Sequence, residues 1–325
     1  MRYKQLTLEK RYHISALQKA GYNQKEIAKE LSVNPTTICR ELRRNRDKVR
    51  GYSAELAQIK STKKHQEKKK YSCMTKVIQK YIRSKLKLDW SPEQIAGRLK
   101  RDKGISIVHE SIYRYIYTNK ANGGRLYKLL RHKNKKYHKR SNQYKDRGTI
   151  IDRTMIGKRD KVVEKKIRIG DWEIDTVVGK DHKGFLVTVV DRMSKFVMIQ
   201  KVLTKHASVV TKALIEMITP VKAITHTITS DNGKEFAYHK EVSAALNTSF
   251  YFANPYHSWE RGLNEHTNGL IRQYLPKKSV FTDVTKDQII MIQNRLNHRP
   301  RKVLGYRTPY EVFFSEMSKR LASWA

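Results

Sequence analysis

Apolar residues recur at helical intervals through roughly the first 120 positions and at strand intervals from about residue 170 onward, so the chain changes period part-way along. Thr7 caps a run with apolar residues at Leu8, Tyr12, Leu17 and Ala20, and Gly21 ends it. Gln24 to Leu31 places Ile27, Ala28 and Leu31 on one helical face; Ser32, Val33 and Asn34 make a short turn, and Pro35 opens a further helix with Ile38 and Leu42 at the same spacing. Two short helices joined by a tight turn, the second bearing Thr36, Thr37, Arg40, Arg43 and Arg44, have the layout of a helix-turn-helix. Ser91, Pro92 and Gln94 supply a cap, a first-turn proline and a capping-box partner for a helix carrying Ile95, Ala96 and Leu99. After a loop around Gly104, Ser106 precedes a helix through Ile112, Tyr113 and Ile116, a second helix-turn-helix with a longer connection.

From Asp171 to Val178 apolar and polar residues alternate (Trp172, Ile174, Thr176, Val178), Phe185 to Val190 is a continuous β-rich run, and Phe196 to Val202 is a third. Short turns around Gly184 and from Arg192 to Lys195 make these an antiparallel meander. A helix with Val209, Val210, Ala213, Leu214 and Met217 ends at Pro220, and a strand from Ile224 to Ser230 follows. Then come a short helix from Val242 to Leu246, a strand from Ser249 to Phe252 and a helix of about four turns from Glu260 to Tyr274. That order predicts an α/β unit, a mixed sheet covered by helices, behind the helical modules.

Charge sharpens the division. The 325 residues hold 69 Lys+Arg against 30 Asp+Glu, a net of +39, which calls for a polyanionic partner. Residues 1–150 hold 40 Lys+Arg and 12 Asp+Glu, a net of +28, against +11 for the remainder, so the first half is the electrostatic footprint. A small helical bundle with a solvated basic face gives the same helical pattern, but with this charge DNA binding is the favoured reading. No apolar run approaches the ~20 residues needed to span a bilayer, and Met1-Arg2-Tyr3-Lys4-Gln5 lacks the core of a signal peptide. The expectation is a cytoplasmic, nucleoid-associated protein with no membrane partner. Two cysteines, Cys39 and Cys73, are too few for a disulfide framework or a Cys-rich zinc site. Residues 53–71, with Lys63, Lys64, Lys68, Lys69 and Lys70, suit either a helix or a basic linker. Gly123 to Arg147 carries ten Lys+Arg, one acid (Asp146) and Tyr127, Tyr137 and Tyr144, and reads as an interdomain linker or a DNA-tracking arm that includes Lys136.

The carboxylates of the α/β half carry the candidate chemistry. Asp175 lies mid-strand beside Ile174 and Val177, Asp231 sits at a strand end in Ser230-Asp231-Asn232-Gly233, and Glu265 lies on a helix in Asn264-Glu265-His266. Acids from adjacent strands and a covering helix can converge at a strand edge, and an oxygen-only donor set suits Mg²⁺ or Mn²⁺ rather than Zn²⁺. Two such ions, about 4 Å apart, serve phosphodiester chemistry. Each acid also has a plainer reading: an edge-strand acid, turn chemistry, or one member of a helical surface pair. Strand alternation puts Asp171, Glu173 and Asp175 on one face, so spacing does not choose among them, and Asp191 reads as a turn residue.

The segments Gly170-Asp171-Trp172-Glu173-Ile174-Asp175-Thr176-Val177-Val178-Gly179, Ser230-Asp231-Asn232-Gly233-Lys234-Glu235-Phe236 and Tyr256 to Arg272 resemble the three catalytic motifs of IS30-family bacterial transposases. The 33 residues between Asp231 and Glu265 match that family's DD(33)E spacing, and Arg272 matches its basic residue seven positions after the glutamate. Leu6 to Asn45, Trp90 to Tyr117 and Asn297-His298-Arg299-Pro300-Arg301-Lys302 through Leu304, Gly305, Thr308, Pro309 and Glu311 resemble its two helix-turn-helix units and C-terminal signature.

The resemblance implies a multidomain chain: an N-terminal helix-turn-helix (1–50), a basic helical linker (51–80), a second helix-turn-helix (81–120) and a basic linker (121–160). An RNase H-like, retroviral integrase-like catalytic domain with a mixed five-stranded sheet and a helical tail (161–325) completes it. It selects Asp175 over its neighbours and makes Asp175, Asp231 and Glu265 the ligands of two Mg²⁺ (or Mn²⁺) ions. It implies cleavage at terminal inverted repeats and transfer of the freed 3′-OH to target DNA, through a copied circular intermediate and by a homodimer or larger assembly. Arg272 is implied at a DNA phosphate, with Thr36, Thr37, Arg40 and Arg44 in a major groove and Arg43 beside them on the same basic helix. The family often has Asn after the glutamate where this chain has His266, a position expected to line the site. The alternatives are a non-catalytic DNA-binding regulator and an RNase H-like nuclease that cuts without joining.

Overall fold

The computed structural model describes residues 5–46, 51–67, 74–131, 150–255 and 257–322, in two compact units, 1–73 and 74–325. Lys68, Lys69, Lys70, Lys136, Tyr137, Tyr144 and Tyr256 lie outside the described residues.

In the first unit, α1 (Leu8–Lys19), α2 (Gln24–Glu30) and α3 (Pro35–Asn45) start at side-chain caps from Thr7, Asn23 and Asn34, and Asn23 with Glu26 forms a capping box. Ile14, Ile27, Ala28, Ile38 and Leu42 close the core. The face of α1 that packs differs from the expected one, since Leu8 and Tyr12 are exposed and Arg11 is buried with Ile14. Arg11 is buried because Glu41 on α3 neutralises it: Nε donates to Glu41 Oε1 at 2.8 Å, and the Tyr52 hydroxyl donates to the same oxygen at 3.1 Å. The Lys-rich segment forms a helix, α4 (Ala54–Glu67), whose Gln58 accepts a hydrogen bond from Arg11.

The second unit begins with three helices. α5 (Lys76–Leu86), α6 (Pro92–Lys103) and α7 (His109–Ala121) bury Ile78, Ile82, Leu86, Ile95, Leu99, Ile112 and Ile116 around Trp90. Ser91 and Gln94 form the expected capping box, whereas Ser106 is not a cap: α7 starts at Val108 without a side-chain cap. This trio is docked on the C-terminal helices α12 (Lys286–Asn297) and α13 (Pro309–Ala322). Arg98 makes a two-pronged contact with Glu311, Arg295 Nη1 donates to Lys87 O at 2.6 Å, and a Cβ on Gly97 would lie 2.3 Å from the Tyr306 ring. The Arg98 guanidinium holds the Glu311 carboxyl down to about 2. A depressed carboxyl stabilises above its unfolded value and loses that contribution as pH falls through the folded one. Docking should therefore weaken between about pH 4.5 and pH 2, and Arg98→Ala should weaken it at neutral pH. Faster amide exchange in α6, relative to the buried segment Phe185–Asp191, is the readout.

The α/β half follows a short turn of helix, α8 (Val162–Lys165). Its strands are β1 (Asp171–Val178), β2 (Phe185–Asp191), β3 (Val197–Val202), β4 (Thr227–Ser230) and β5 (Ser249–Phe252), ordered β3-β2-β1-β4-β5. The first three form the antiparallel meander, and β4 and β5 run parallel to β1, giving the mixed five-stranded sheet. α9 (Ala207–Ile218) and α10 (His239–Leu246) cover one face with α13, where Trp172 and Ile174 pack with Val210, Leu214 and Phe313. α11 (Gly262–Ile271) and α12 cover the other, where Val177 packs with Leu270, Ile271 and Ile292. Two boundaries differ from the sequence pattern: Thr219–Ile224 is 3-10 helix, so β4 starts at Thr227, and a 3-10 turn at Ser258–Arg261 leaves α11 ten residues. Gly170 fixes the entry to β1, with φ +91° and a Cβ position 1.7 Å from Ile224 O that no other residue can occupy.

Candidate active site

Alternation along β1 turns Asp171, Glu173 and Asp175 to the α11 side, and their surroundings separate them. Asp171 is fully neutralised: Arg168 Nε donates to it at 2.8 Å and Thr227 Oγ1 at 2.8 Å. Glu173 is 2% exposed and paired with the equally buried Arg192 at 2.6 Å; burial pushes its carboxyl up, while Arg192 and then Arg261 oppose the shift. Arg192 also meets Glu164 on α8 at 3.1 Å, and Arg159 completes the ladder by bonding Glu164 and Thr229 Oγ1. These two acids build the protein. Asp191 is likewise structural, a turn acid that accepts from Gly170 N, Ser194 N and Ser194 Oγ and is pushed up to about 6 by burial.

Asp175 sits differently because the strands part there. The parallel pairing of β1 with β4 covers only Asp171–Glu173 against Thr227–Thr229, so beyond it a crevice opens between Asp175 and the end of β4. Asp231 stands at that end, one residue past Ser230, and its Oδ1 accepts from Gly233 N at 2.9 Å in an Asx turn. The turn reading of Asp231 is thus borne out. Arg261 joins the two acids, with Nη2 3.3 Å from Asp175 Oδ1 and Nη1 3.4 Å from Asp231 Oδ2. Burial raises the Asp175 carboxyl, Arg261 lowers it and Asp231 raises it again. Glu235 ties the second motif back to β1 by accepting from Thr176 Oγ1 at 2.9 Å, and Lys205 balances it at 2.7 Å.

α11 is laid along β1 by a series of contacts. Arg261 and Asn264 donate to Ile174 O at 2.9 and 3.0 Å, Asn268 Nδ2 donates to Asp175 Oδ2 at 2.7 Å, and Arg272 Nη2 donates to Val178 O at 2.7 Å. Helical spacing puts Glu265 on this same face, between Arg261 and Asn268, with its side chain exposed. The structure brings Asp175 and Asp231 together on Arg261 and does not gather Glu265 in with them. Among the described residues no three His, Cys, Asp or Glu side chains are close enough to hold a metal ion. The Arg261 guanidinium, within 3.4 Å of both aspartates, offsets the repulsion between the two carboxylates. Arg272 is directed inward, with its guanidinium 5.3 Å from the Phe281 ring centre. His266 faces clefts on the flank of α11 turned away from Asp175. Arg261 and Asn268 escaped the sequence reading, although both stand at helical intervals from Glu265, four before and three after.

On α3, Thr36, Arg40, Arg43 and Arg44 are exposed on one side, Thr37 is half-buried, and Ile38, Glu41, Leu42 and Asn45 face inward. Thr36 Oγ1 donates to the capping Asn34 Oδ1 at 2.7 Å, which fixes the start of the helix. No helix among the described residues is long and apolar enough to cross a membrane.

Two family models match the chain, a helix-turn-helix domain over residues 2–45 and an integrase core domain over residues 167–258. The chain is 46% identical over 324 residues to the transposase for insertion sequence element IS4351 of Bacteroides fragilis, covering 99% of both chains. It is 33% identical to transposase InsI for insertion sequence element IS30A of Escherichia coli K12, covering 94% of this chain and 82% of that one. It is 32% identical to the transposase for insertion sequence element IS1086 of Cupriavidus metallidurans, covering 96% and 94%.

Proposed function

Since the chain belongs to the IS30 family of insertion-sequence transposases, we propose that it binds the terminal inverted repeats of such an element and cuts and rejoins DNA strands at Asp175, Asp231 and Glu265. The observation that carries this reading is the meeting of Asp175 and Asp231 on Arg261 where β1 and β4 part, with α11 holding Glu265 on the adjoining face. The donor set fits a hard divalent cation, because its atoms are carboxylate oxygens and a positive charge already sits between two of them. Asp175, Asp231 and Glu265 would hold Mg²⁺ or Mn²⁺, two ions in all. When bound, the ions activate an oxygen nucleophile and stabilise the leaving oxygen of the phosphodiester. The chain's own part is positioning: Asn268 fixes the orientation of the Asp175 carboxylate, Gly233 N that of Asp231, and Arg261 neutralises the pair until it is displaced.

The exposed side of α3 would enter a major groove of the repeat, where Arg40 or Arg44 reads guanine. The second helical trio would add contacts to the same duplex, and two element ends would be held by a homodimer or larger assembly. Given labelled terminal-repeat duplex, Mg²⁺ and a target duplex, the purified protein should produce cut 3′ ends and joined strands. Binding without cutting would mark a regulator, and cutting without joining a nuclease. Arg40→Ala should cost about 1–3 kcal/mol of discrimination between repeat and random duplex while leaving the salt dependence on random duplex nearly unchanged. Competition gel-shift with the two duplexes measures it, and an equal loss on both would remove Arg40 from base reading.

A further inference from the structure

On the side of α11 opposite Asp175 a cleft of about 620 Å³ separates the second helical trio from the sheet domain. Its floor is cationic. Arg299 and Arg301 come from the Arg299-Pro300-Arg301 turn after α12, where an extended backbone (Arg301 φ −120°, ψ 129°) sends alternate side chains to the same side. Arg131 enters from the chain beyond α7, and His266 of α11 lines the same space. Arg299 is 2% exposed, yet its contacts are neutral: Nη1 donates to Gln273 Oε1 at 3.2 Å and Nη2 to the Tyr274 hydroxyl at 2.7 Å. Among the described residues Arg301 Nη2 reaches only Leu296 O at 3.4 Å, Arg131 Nη2 reaches only Gly269 O at 3.5 Å, and the buried Nε atoms of Arg299 and Arg301 have no partner. Among the described residues none of the three arginines meets a carboxylate. The acids at the rim are engaged elsewhere, Asp89 with Tyr274 and Arg295, Glu93 with Lys302.

Three guanidinium groups that share one cleft and meet no carboxylate among the described residues repel one another, and for the buried Arg299 unpaired charge is costly. The strain shows in Arg301, which burial, then Arg299 and Arg131, lower to about 10. We propose that this cleft is a phosphate site in which Arg131, Arg299 and Arg301 clasp one backbone phosphate of the bound DNA, behind the helix that carries Glu265. Guanidinium forks match phosphate oxygens in a geometry that a solvated surface lysine does not offer. A strand held there is fixed relative to α11, and so relative to the cutting site. The assignment rests on the DNA-binding reading above.

The test uses the full chain. Binding to random duplex is measured across a salt series for the wild type, Arg301→Gln, Arg131→Gln and, as control, the exposed Lys302→Gln. Arg131 is exposed, so its variant carries little folding risk. The expected result is that Arg301→Gln and Arg131→Gln each weaken binding several-fold and reduce the log K against log salt slope by about one, while Lys302→Gln changes neither. In parallel, inorganic phosphate should raise the melting temperature of the wild type above that in chloride of matched ionic strength, and not that of Arg301→Gln. Unchanged slopes in both cleft variants overturn the proposal while leaving the DNA-binding reading intact. Phosphate-dependent melting with unchanged DNA slopes also overturns it, since the cleft then takes free phosphate only. A wild type that binds no DNA overturns both readings.

Discussion

Alanine at Asp175, Asp231 or Glu265 should lower strand cleavage by at least about 10³-fold, a loss of the size seen when a preorganised electrostatic group is removed from a water-poor site. The prediction is specific because the neighbouring acids differ so sharply. Asp171 and Glu173 share the β1 face with Asp175 but are occupied by Arg168 and by Arg192. Their replacement should act on stability. Asp175 instead shares Arg261 with a second carboxylate, so removing it relieves repulsion, and Asp175→Ala should melt at or above the wild-type temperature while inactive. Cleavage assays and melting curves on the same preparations separate the two groups. Activity surviving in Asp175→Ala, or a melting temperature that falls with activity in all three variants, would contradict the assignment.

The largest stability effect is expected at Arg192. With Glu173 2% exposed and Arg192 equally buried, Arg192→Met leaves a carboxylate without its partner deep in the sheet, and loss of one member of such a pair costs about 3–5 kcal/mol. Glu164 loses a contact at the same time, so α8 should loosen. Pairing the change with Glu173→Leu removes the stranded charge, and the double variant should recover most of the loss. Urea unfolding followed by tryptophan fluorescence, to which Trp172 beside Glu173 on β1 contributes, measures the loss. A double variant as unstable as Arg192→Met alone would show that shape, not charge, sets the cost.

Local chemistry was legible in the chain, and long-range chemistry was not. Thr7 and the Ser91–Gln94 pair act as caps where their spacing placed them, and the alternation from Asp171 to Val178 makes a strand whose three acids share one face. Spacing did not choose among those acids; the motif resemblance singled out Asp175, while the physical difference between them lies where β1 leaves β4, a pairing between segments more than fifty residues apart that no local pattern encodes. Arg11 reads as a solvated cation on a helix until Glu41, thirty residues on, is seen to bury it. The docking of α6 on α13 depends on Arg98 and Glu311, 213 positions apart. Arg299 and Arg301 were visible as a signature, but their lack of counter-ions emerges only when Arg131 is brought beside them. The Lys-rich segment became a helix because α1 supplies a surface for Ala54 and Ala57, which are 3% and 0% exposed.

The central claim is that Asp175, Asp231 and Glu265 form one divalent-cation site, with Arg261 bridging the two aspartates. Manganese binding followed by electron paramagnetic resonance, on the full chain with terminal-repeat duplex bound, tests this most directly. The account predicts two tightly held Mn²⁺ ions per active subunit, with binding abolished in Asp175→Ala and sharply weakened in Glu265→Ala. Unaltered manganese binding in Glu265→Ala would contradict it.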